Sequence, residues 1–357
     1  MTANPDPTIT PAHSTGIPRE RELLKAARDG DRDAFGRLVE PFRRELQAHC
    51  YRMLGSYADA EDALQETLLR AWRALSGFEE RSSLRSWLYR IATNACLRAI
   101  ERRPKRVLPI DYAPASEPHD GPAEPVNDPV WLEPYPDTEL GLSLESLAGL
   151  DARYEQREGV ELAFIAALQH LPARQRAVLI LRDVLGFSAR ETAHVLETTS
   201  VSVDSALQRA HKTVDERLPS QSQQQTLRLV GDDELSQLVE RYVAAWERND
   251  VDAVVSMLAE DARLVMPPLP TWVSGREQVA IFLRLNPLSG LKHWRLIPTS
   301  ANGQPALATY TWNQQTAAFE AHSLSVLTLR EGKIEEITAF MTPDALAHFD
   351  VPASIAG

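Results

Sequence analysis

The chain has 357 residues, of which 43% are hydrophobic and 7% aromatic, enough apolar material for two or three domains and too much for a disordered tail. Its 38 Lys and Arg stand against 50 Asp and Glu, a formal net charge of −12, which excludes a protein that coats nucleic acid by bulk charge and requires any such binding to be local. Two cysteines, Cys50 and Cys96, form no CxxC or Cys/His array, which excludes a disulfide scaffold and predicts no metal site in a reducing compartment.

Residues 1–18 are rich in Pro and Thr, without a basic segment and apolar run, and read as a disordered extension. No stretch approaches about 18 uninterrupted apolar residues, so a cytoplasmic protein with no membrane contact is expected. Residues 19–107 read as a helical bundle. Ala34, Phe35, Leu38, Val39, Phe42, Leu46 and Met53 form one apolar stripe, Leu64, Leu68, Ala71, Trp72 and Leu75 a second, and Leu84, Trp87, Leu88, Ile91, Ala92 and Ala95 a third. Asp59, Asp62 and Glu66 fall near one helical face, an acidic docking surface for a basic partner. The plain alternative is capping, since Asp59 suits an N-cap and acids suit a first turn.

Residues 81–106 carry Arg81, Arg85, Arg90, Arg98, Arg102, Arg103, Lys105 and Arg106 against Glu101 alone, a local balance of +7 within an acidic protein. Arginines interleaved with aromatics hold phosphates and grip unstacked bases, the chemistry of binding a melted strand. Trp87 and Tyr89 also fit a core, and for Trp87 burial is the stronger expectation.

In residues 108–155 the sign reverses: ten acids and no Lys or Arg fall between Val107 and Asp151, with eight prolines. An extended, self-repelling linker is expected there, able to thread a basic channel or to serve as a plain solvated spacer. Within it, Trp131-Leu132-Glu133-Pro134-Tyr135-Pro136-Asp137 places two large aromatics among prolines, which favours docking into a groove. Residues 156–218 read as four helices, over 160–170, 172–185, 188–196 and 201–218. The last two flank a Thr198-Thr199-Ser200 turn. Ala193, Val195, Leu196, Val203 and Leu207 supply the small core of a helix-turn-helix, leaving Ser200, Ser202, Asp204, Ser205, Gln208 and Arg209 outward; an ordinary αα-hairpin is the alternative.

Residues 219–231 are polar and aperiodic, a second linker. Residues 232–350 change character, with a helix over 232–248 followed by strand-like runs at 262–265, 306–312 and 323–330 and a Glu331-Gly332-Lys333 hairpin turn. The expected architecture is multidomain: two all-α units and an α+β unit.

The stretch Asp59-Ala-Glu-Asp62-Ala-Leu-Gln65, the stretch Ser82-Ser83-Leu84-Arg-Ser-Trp87-Leu88-Tyr89-Arg90-Ile91-Ala92-Thr-Asn94 and the helix-turn-helix together resemble the extracytoplasmic-function group of bacterial RNA polymerase sigma factors. The resemblance implies that Asp59, Asp62, Gln65, Glu66, Leu69 and Trp72 bind core RNA polymerase, with its β′ clamp and β flap as the contacted parts. It implies that Arg81, Ser82, Ser83, Arg85, Trp87, Arg90, Asn94, Arg98, Arg102 and Arg103 act on the −10 element of promoter DNA. Ser200, Val201, Ser202, Asp204, Ser205, Gln208, Arg209 and Lys212 would read the −35 element. Asp204 stands where many members carry a base, and a carboxylate favours a cytosine amino group over guanine.

The Trp131 motif is similar to the linker of those sigma factors that carry a SnoaL-like extension, and residues 232–350 look like that NTF2-like cone. Trp131, Leu132, Pro134, Tyr135 and Asp137 are then expected to dock, with Trp131 and Tyr135 on the cone. Trp246, Met266, Trp272, Tyr310, Trp312, His322 and Phe340 are candidate pocket residues for a small ligand. No Asp/His pair assembles from them: Asp261 reads as a strand cap and His322 as a hydrogen-bonded wall residue. The expectation is a sigma factor regulated by its cone, with no catalysis and no cofactor. The rivals are a cyclase- or isomerase-type enzyme tethered to a DNA-binding half, and a stand-alone repressor.

Overall fold

The computed structural model describes residues 17–80, 82–126, 130–140, 159, 161–218 and 221–357. Arg81, residues 1–16 of the predicted extension, and residues 141–158 of the predicted acidic linker lie outside the described residues.

Helices α1 (Ile17–Arg28), α2 (Arg32–Val39), α3 (Arg43–Leu54), α4 (Tyr57–Ala74) and α5 (Leu84–Arg102) form the first unit. Their starts are written in short polar side chains: Asp31, Ser56 and Ser83 each accept backbone N–H bonds from the first turn that follows, satisfying donors a helix leaves open. Ser56, and not Asp59, therefore caps α4. Leu46, Met53, Leu64, Ala71, Leu84, Leu88 and Ala92 of the predicted stripes are buried together.

The chain from 106 to 140 departs from the expected self-repelling linker. Strand β1 (Arg106–Val107) pairs in parallel with β2 (Val130–Trp131), flanking a turn of helix α6 (Pro109–Tyr112). Leu108, Trp131, Leu132 and Tyr135 are buried. Between the two strands the chain lies along the C-terminal unit: Trp272 Nε1 donates to the Ala113 carbonyl at 2.8 Å, Ser116 N to the Trp272 carbonyl at 2.8 Å, and Ala123 N to Thr271 Oγ1 at 2.8 Å. Asp111, Glu117, Asp120 and Glu124 stay exposed. An extended backbone carries unpaired donors and acceptors that a neighbouring surface can satisfy while its acids face water, so charge counting alone mislabelled the segment.

The middle unit comprises α7 (Leu162–Gln169), α8 (Ala173–Leu179) running into a π-helical turn (Ile180–Val184), α9 (Ala189–Val195) and α10 (Ser200–Asp215). The predicted polar linker that follows is largely helix α11 (Gln223–Val230), capped by Ser222. Gln223 and Gln224 are buried; their backbone N–H groups donate to the Glu161 carboxylate at 3.1 and 2.8 Å, and their side chains to the Leu329 and Gly303 carbonyls. Gln223 Oε1 also accepts from Leu329 N at 2.7 Å, and these bonds let the glutamines act as interior residues, which a polarity pattern cannot reveal.

The last unit places α12 (Asp232–Glu247), α13 (Val251–Ser256) and α14 (Arg276–Leu285) beside a seven-stranded mixed sheet. Its strands are β3 (Leu258–Val265), β4 (Trp272–Ser274), β5 (Trp294–Ala301), β6 (Gln304–Asn313), β7 (Ala318–Arg330), β8 (Lys333–Phe340) and β9 (Ser354–Ala356). The order is β4-β3-β8-β7-β6-β5 with β9 on β7, and the β3–β8 pair is parallel. One face packs on the helices through Tyr242, Phe282, Leu307, Leu327 and Ile337. The other gathers Ala308, Tyr310, Leu324, Val326 and Phe340. Among the described residues no helix is long and apolar enough to cross a membrane.

Candidate functional site

On α4, Asp62, Gln65, Glu66 and Leu69 are exposed on one face, Leu69 at 49%, as their three- and four-residue spacing requires. Trp72 is half-buried against Phe35, ring centroids 5.2 Å apart. Asp59 leaves this surface. It is buried and ion-paired with Arg103 and Arg106, because the basic run after α5 folds back across the start of α4. Arg106 is buried as well, and that burial pulls its guanidinium below the ordinary range against the pull of Glu133. Asp59 is thereby a structural carboxylate, and Arg103 a partner of it rather than a free phosphate ligand.

The basic face of α5 is also divided. Ser82 and Ser83 stand before the helix, with Ser83 Oγ accepting from Ser86 N at 3.1 Å. Trp87 is buried against Phe78, centroids 4.9 Å apart, and is not available to a base. Arg85 forks onto the Glu45 carboxylate at 3.1 and 3.2 Å, and lies over the rings of Tyr89 and Phe187. Arg90, Asn94 and Arg98 line a shared groove of about 360 Å³ with Arg70 and Arg73 of α4. Those two arginines escaped the sequence reading; α4 and α5 had to be packed side by side to join them to the basic face. Arg102 is exposed. Glu197 closes one side of the groove.

Glu197 belongs to the turn between α9 and α10, with φ of +52°. A reciprocal Ser188–Glu191 capping box starts α9, and those bonds hold the Glu191 carboxyl below its usual range. Thr199 caps α10. Ala193, Val195, Leu196 and Val203 are buried and Leu207 half-buried, as a helix-turn-helix core needs. Ser200, Val201, Ser202, Asp204, Gln208, Arg209 and Lys212 are exposed, Val201 at 76%, and Ser205 is half-buried.

The Trp131 motif joins the first unit to the last. Trp131 packs edge-on against Tyr112 and its carbonyl accepts from Arg106, while it lines the junction cavity with Pro267, Pro268 and Phe340 of the cone. Glu133 accepts from Ser56 Oγ at 2.8 Å, its backbone N donates to the Gly55 carbonyl at 3.0 Å, and its carbonyl accepts from Tyr51 OH at 2.8 Å. Gly55 permits the approach: it sits at φ +68°, and a Cβ there would meet Leu132 Cδ2 at 2.5 Å. Tyr135 is fully buried 4.5 Å from the ring of Tyr51; its backbone N donates to Asn302 Oδ1 at 2.9 Å and its carbonyl accepts from Asn302 N at 2.8 Å, Asn302 lying in the β5–β6 turn. Asn302 Nδ2 reaches Tyr51 OH at 2.7 Å, and Asp137 Oδ1 accepts from Gly303 N at 2.7 Å. Pro134 lines the junction cavity with Tyr57 and His348.

In the cone, Trp246, Met266 and His322 share a cavity of about 380 Å³. Tyr310, Trp312 and Phe340 fall on the opposite sheet face, since side chains alternate along a strand and Leu307 and Thr309 take the cavity side. Tyr310 OH donates to the Pro352 carbonyl at 2.7 Å, and Trp272 is committed to Ala113. His322 reaches the cavity through a β-bulge: Thr309 pairs with Ser323 but Tyr310 pairs with Ala321, so His322 is the extra residue. Burial first, and nearby Lys292 second, lower its imidazole to about 4. Asp261 is exposed on β3 and pairs with Arg330.

Three family models match this chain: Sigma-70 region 2 over residues 38–106, Sigma-70 region 4 over 161–214, and a SnoaL-like domain over 239–337. The ECF RNA polymerase sigma factor SigG of Mycobacterium tuberculosis is 41% identical over 332 residues, 92% of this chain and 86% of that relative. The chain belongs to the ECF RNA polymerase sigma factors. SigW of Bacillus subtilis is 26% identical over 206 residues, 56% of this sigma factor and 96% of SigW. The crystal structure of M. tuberculosis SigJ covers 88% of the chain and all of that structure at 23% identity and a TM-score of 0.53, a likeness of fold.

The sigma factor directs RNA polymerase to promoters, yet here regions 2 and 4 lie against one another. Tyr89 of α5 meets Phe187, which precedes α9, with centroids 5.2 Å apart. Arg176 of α8 is buried and donates to the Met53 carbonyl and to Gln169, and Arg52 Nε donates to the Gly159 carbonyl at 2.9 Å.

Proposed function

We propose that this conformation is a closed form of the sigma factor, held by the Trp131–Asp137 segment and the SnoaL-like domain, and opened when core polymerase and promoter are engaged. The reading rests on the Tyr89–Phe187 contact. The −10 and −35 elements are roughly 25 base pairs apart, about 85 Å along duplex DNA at 3.4 Å per base pair. Regions 2 and 4 in ring contact cannot span that distance, so α5 and α10 have to separate. In the closed form Phe187 lies on Arg85, and Glu197 puts an acid beside Arg90, Asn94 and Arg98, both of which disfavour a nucleic-acid strand there.

In the open form, Asp62, Gln65, Glu66 and Leu69 of α4 contact the polymerase clamp. The groove of Arg70, Arg73, Arg90, Asn94 and Arg98, with exposed Arg102, takes the melted −10 strand, and the exposed face of α10 reads the −35 duplex. The SnoaL-like domain regulates. Its cavity is walled mainly by apolar side chains, which supports a binding role. The test is run-off transcription with core polymerase by the full chain and by a Tyr135→Ala, Asn302→Ala variant. The variant is expected to initiate at lower sigma concentration than the full chain. Equal concentration dependence would remove the regulatory reading, and absence of core-dependent initiation by either would remove the whole.

A further inference from the structure

The cone cavity is built for a ligand in a way the sigma function does not use. Its wall is apolar, from Leu264, Met266, Phe282, Trp294 and Ile337. Two buried nitrogens in it, Trp246 Nε1 and His322 Nδ1, have no hydrogen-bond partner, and a polar atom buried in that condition calls for an acceptor or a water. The bulge that turns His322 into the cavity is a feature of the kind found beside binding sites. At the mouth stand two large exposed apolar side chains, Leu285 at 54% and Leu291 at 88%. Exposed Lys292 beside them lies 5.3 Å from the centroid of the Trp294 ring and is the one formally charged residue in the described lining.

We propose that this cavity binds an amphipathic monocarboxylate, such as a medium-chain fatty acid, with its chain in the apolar wall and its carboxylate toward Lys292. The volume of about 380 Å³ lies in the range of small-molecule sites. The imidazole stays neutral at physiological pH, so Lys292 supplies the charge, while Trp246 Nε1 is a donor only and selects an acceptor oxygen. An amine would meet Lys292 with like charge. Pro122, from the chain that runs over the cone between β1 and β2, also lines the cavity, and next to it a Cβ at Gly121 would come within 3.3 Å of Asn286 Oδ1. An occupant therefore touches the same segment that leads into the Trp131 motif, and binding is read without any assumption about transcription.

The experiment titrates decanoate, decanol and decylamine, each below its aggregation concentration, into the full chain, with tryptophan fluorescence and calorimetry as readouts. Decanoate is expected to saturate at one per chain, with decanol weaker by about two- to fivefold, the size of an exposed charge pair, and decylamine weaker still. Lys292→Glu, at an exposed position, is expected to abolish the preference for decanoate over decanol, and Trp246→Phe to weaken both. The proposal is overturned if decanoate does not saturate, or if its advantage over decanol persists unchanged in Lys292→Glu. A variant with native melting that retains full affinity after Trp246→Phe likewise removes the assigned site.

Discussion

Replacing Tyr135 by alanine isolates the closing segment from the domains it joins. The side chain is fully buried, 4.5 Å from Tyr51 and 5.7 Å from Tyr57 by ring centroids, and its hydroxyl donates to the Glu139 carbonyl at 3.4 Å. Truncating a buried aromatic costs about 3–5 kcal/mol, and here the loss falls on the closed arrangement, because α4, α5 and the cone sheet keep their own cores. At about 1.4 kcal/mol per tenfold, local opening becomes at least about 100-fold more frequent. Native-state hydrogen exchange reads it at two amides on opposite sides of the junction. Asn302 N–H donates to the Tyr135 carbonyl and Glu133 N–H to the Gly55 carbonyl. Both are expected to lose about two decades of protection while amides inside α5 change little. Unchanged protection at the two sites, or an equal loss across α5, would refute Tyr135 as the contact that holds the closed form.

Four further outcomes follow. Asp62→Arg with Glu66→Arg is expected to weaken binding to core polymerase with a stability change under about 1 kcal/mol. Asp59→Ala, which leaves buried Arg106 with Glu133 as its one remaining carboxylate, should destabilise by about 1–3 kcal/mol; thermal unfolding beside a polymerase pull-down separates them, and equal melting of the two variants counts against the division of the acidic face. Asp204→Ala is expected to shift the preferred −35 base by about 1–3 kcal/mol at one position, and an unchanged preference across a randomised −35 library would deny Asp204 a reading role. His49 is buried with Nε2 2.9 Å from Thr93 Oγ1, and burial first, then Arg52 and Arg85, lower it to about 3. Its folded value lies below its unfolded one, so its contribution is present above pH 6.5 and fades as pH falls toward 3, by about 2 kcal/mol at pH 5. Denaturant midpoints from pH 7 to 5 should fall less in His49→Gln, and parallel curves would exclude His49 as the source.

Much of this molecule was legible because its signals are local. Ser188 announces a helix start, Thr198-Thr199-Ser200 the turn of a helix-turn-helix, the stripes ending in Leu75 and Ala95 a bundle, and Glu331-Gly332 a hairpin. What stayed hidden depends on pairs far apart in the chain. Asp59 looked like part of an exposed face until Arg103 and Arg106 folded over it. Gln223 and Gln224 looked like linker because their partners are Glu161 and the β5–β6 and β7–β8 ends of the sheet. Strand alternation split the pocket set, sending Tyr310 and Trp312 away, and a single bulged residue brought His322 back. The Trp131 motif was singled out as unusual for a spacer, but its surface, Gly55 and Tyr51 on one side and Asn302 on the other, exists only after the first and last units have met.

The closed-to-open change is tested most directly by a distance. Cys50 and Cys96 are buried, so dyes placed on Ser76→Cys at the end of α4 and Glu216→Cys at the end of α10, both exposed, report the separation of regions 2 and 4 by energy transfer. The free chain is expected to give high transfer, and its complex with core polymerase and promoter DNA low transfer, as the two readers move toward the roughly 85 Å spacing of their elements. High transfer retained in an actively initiating complex would contradict the account.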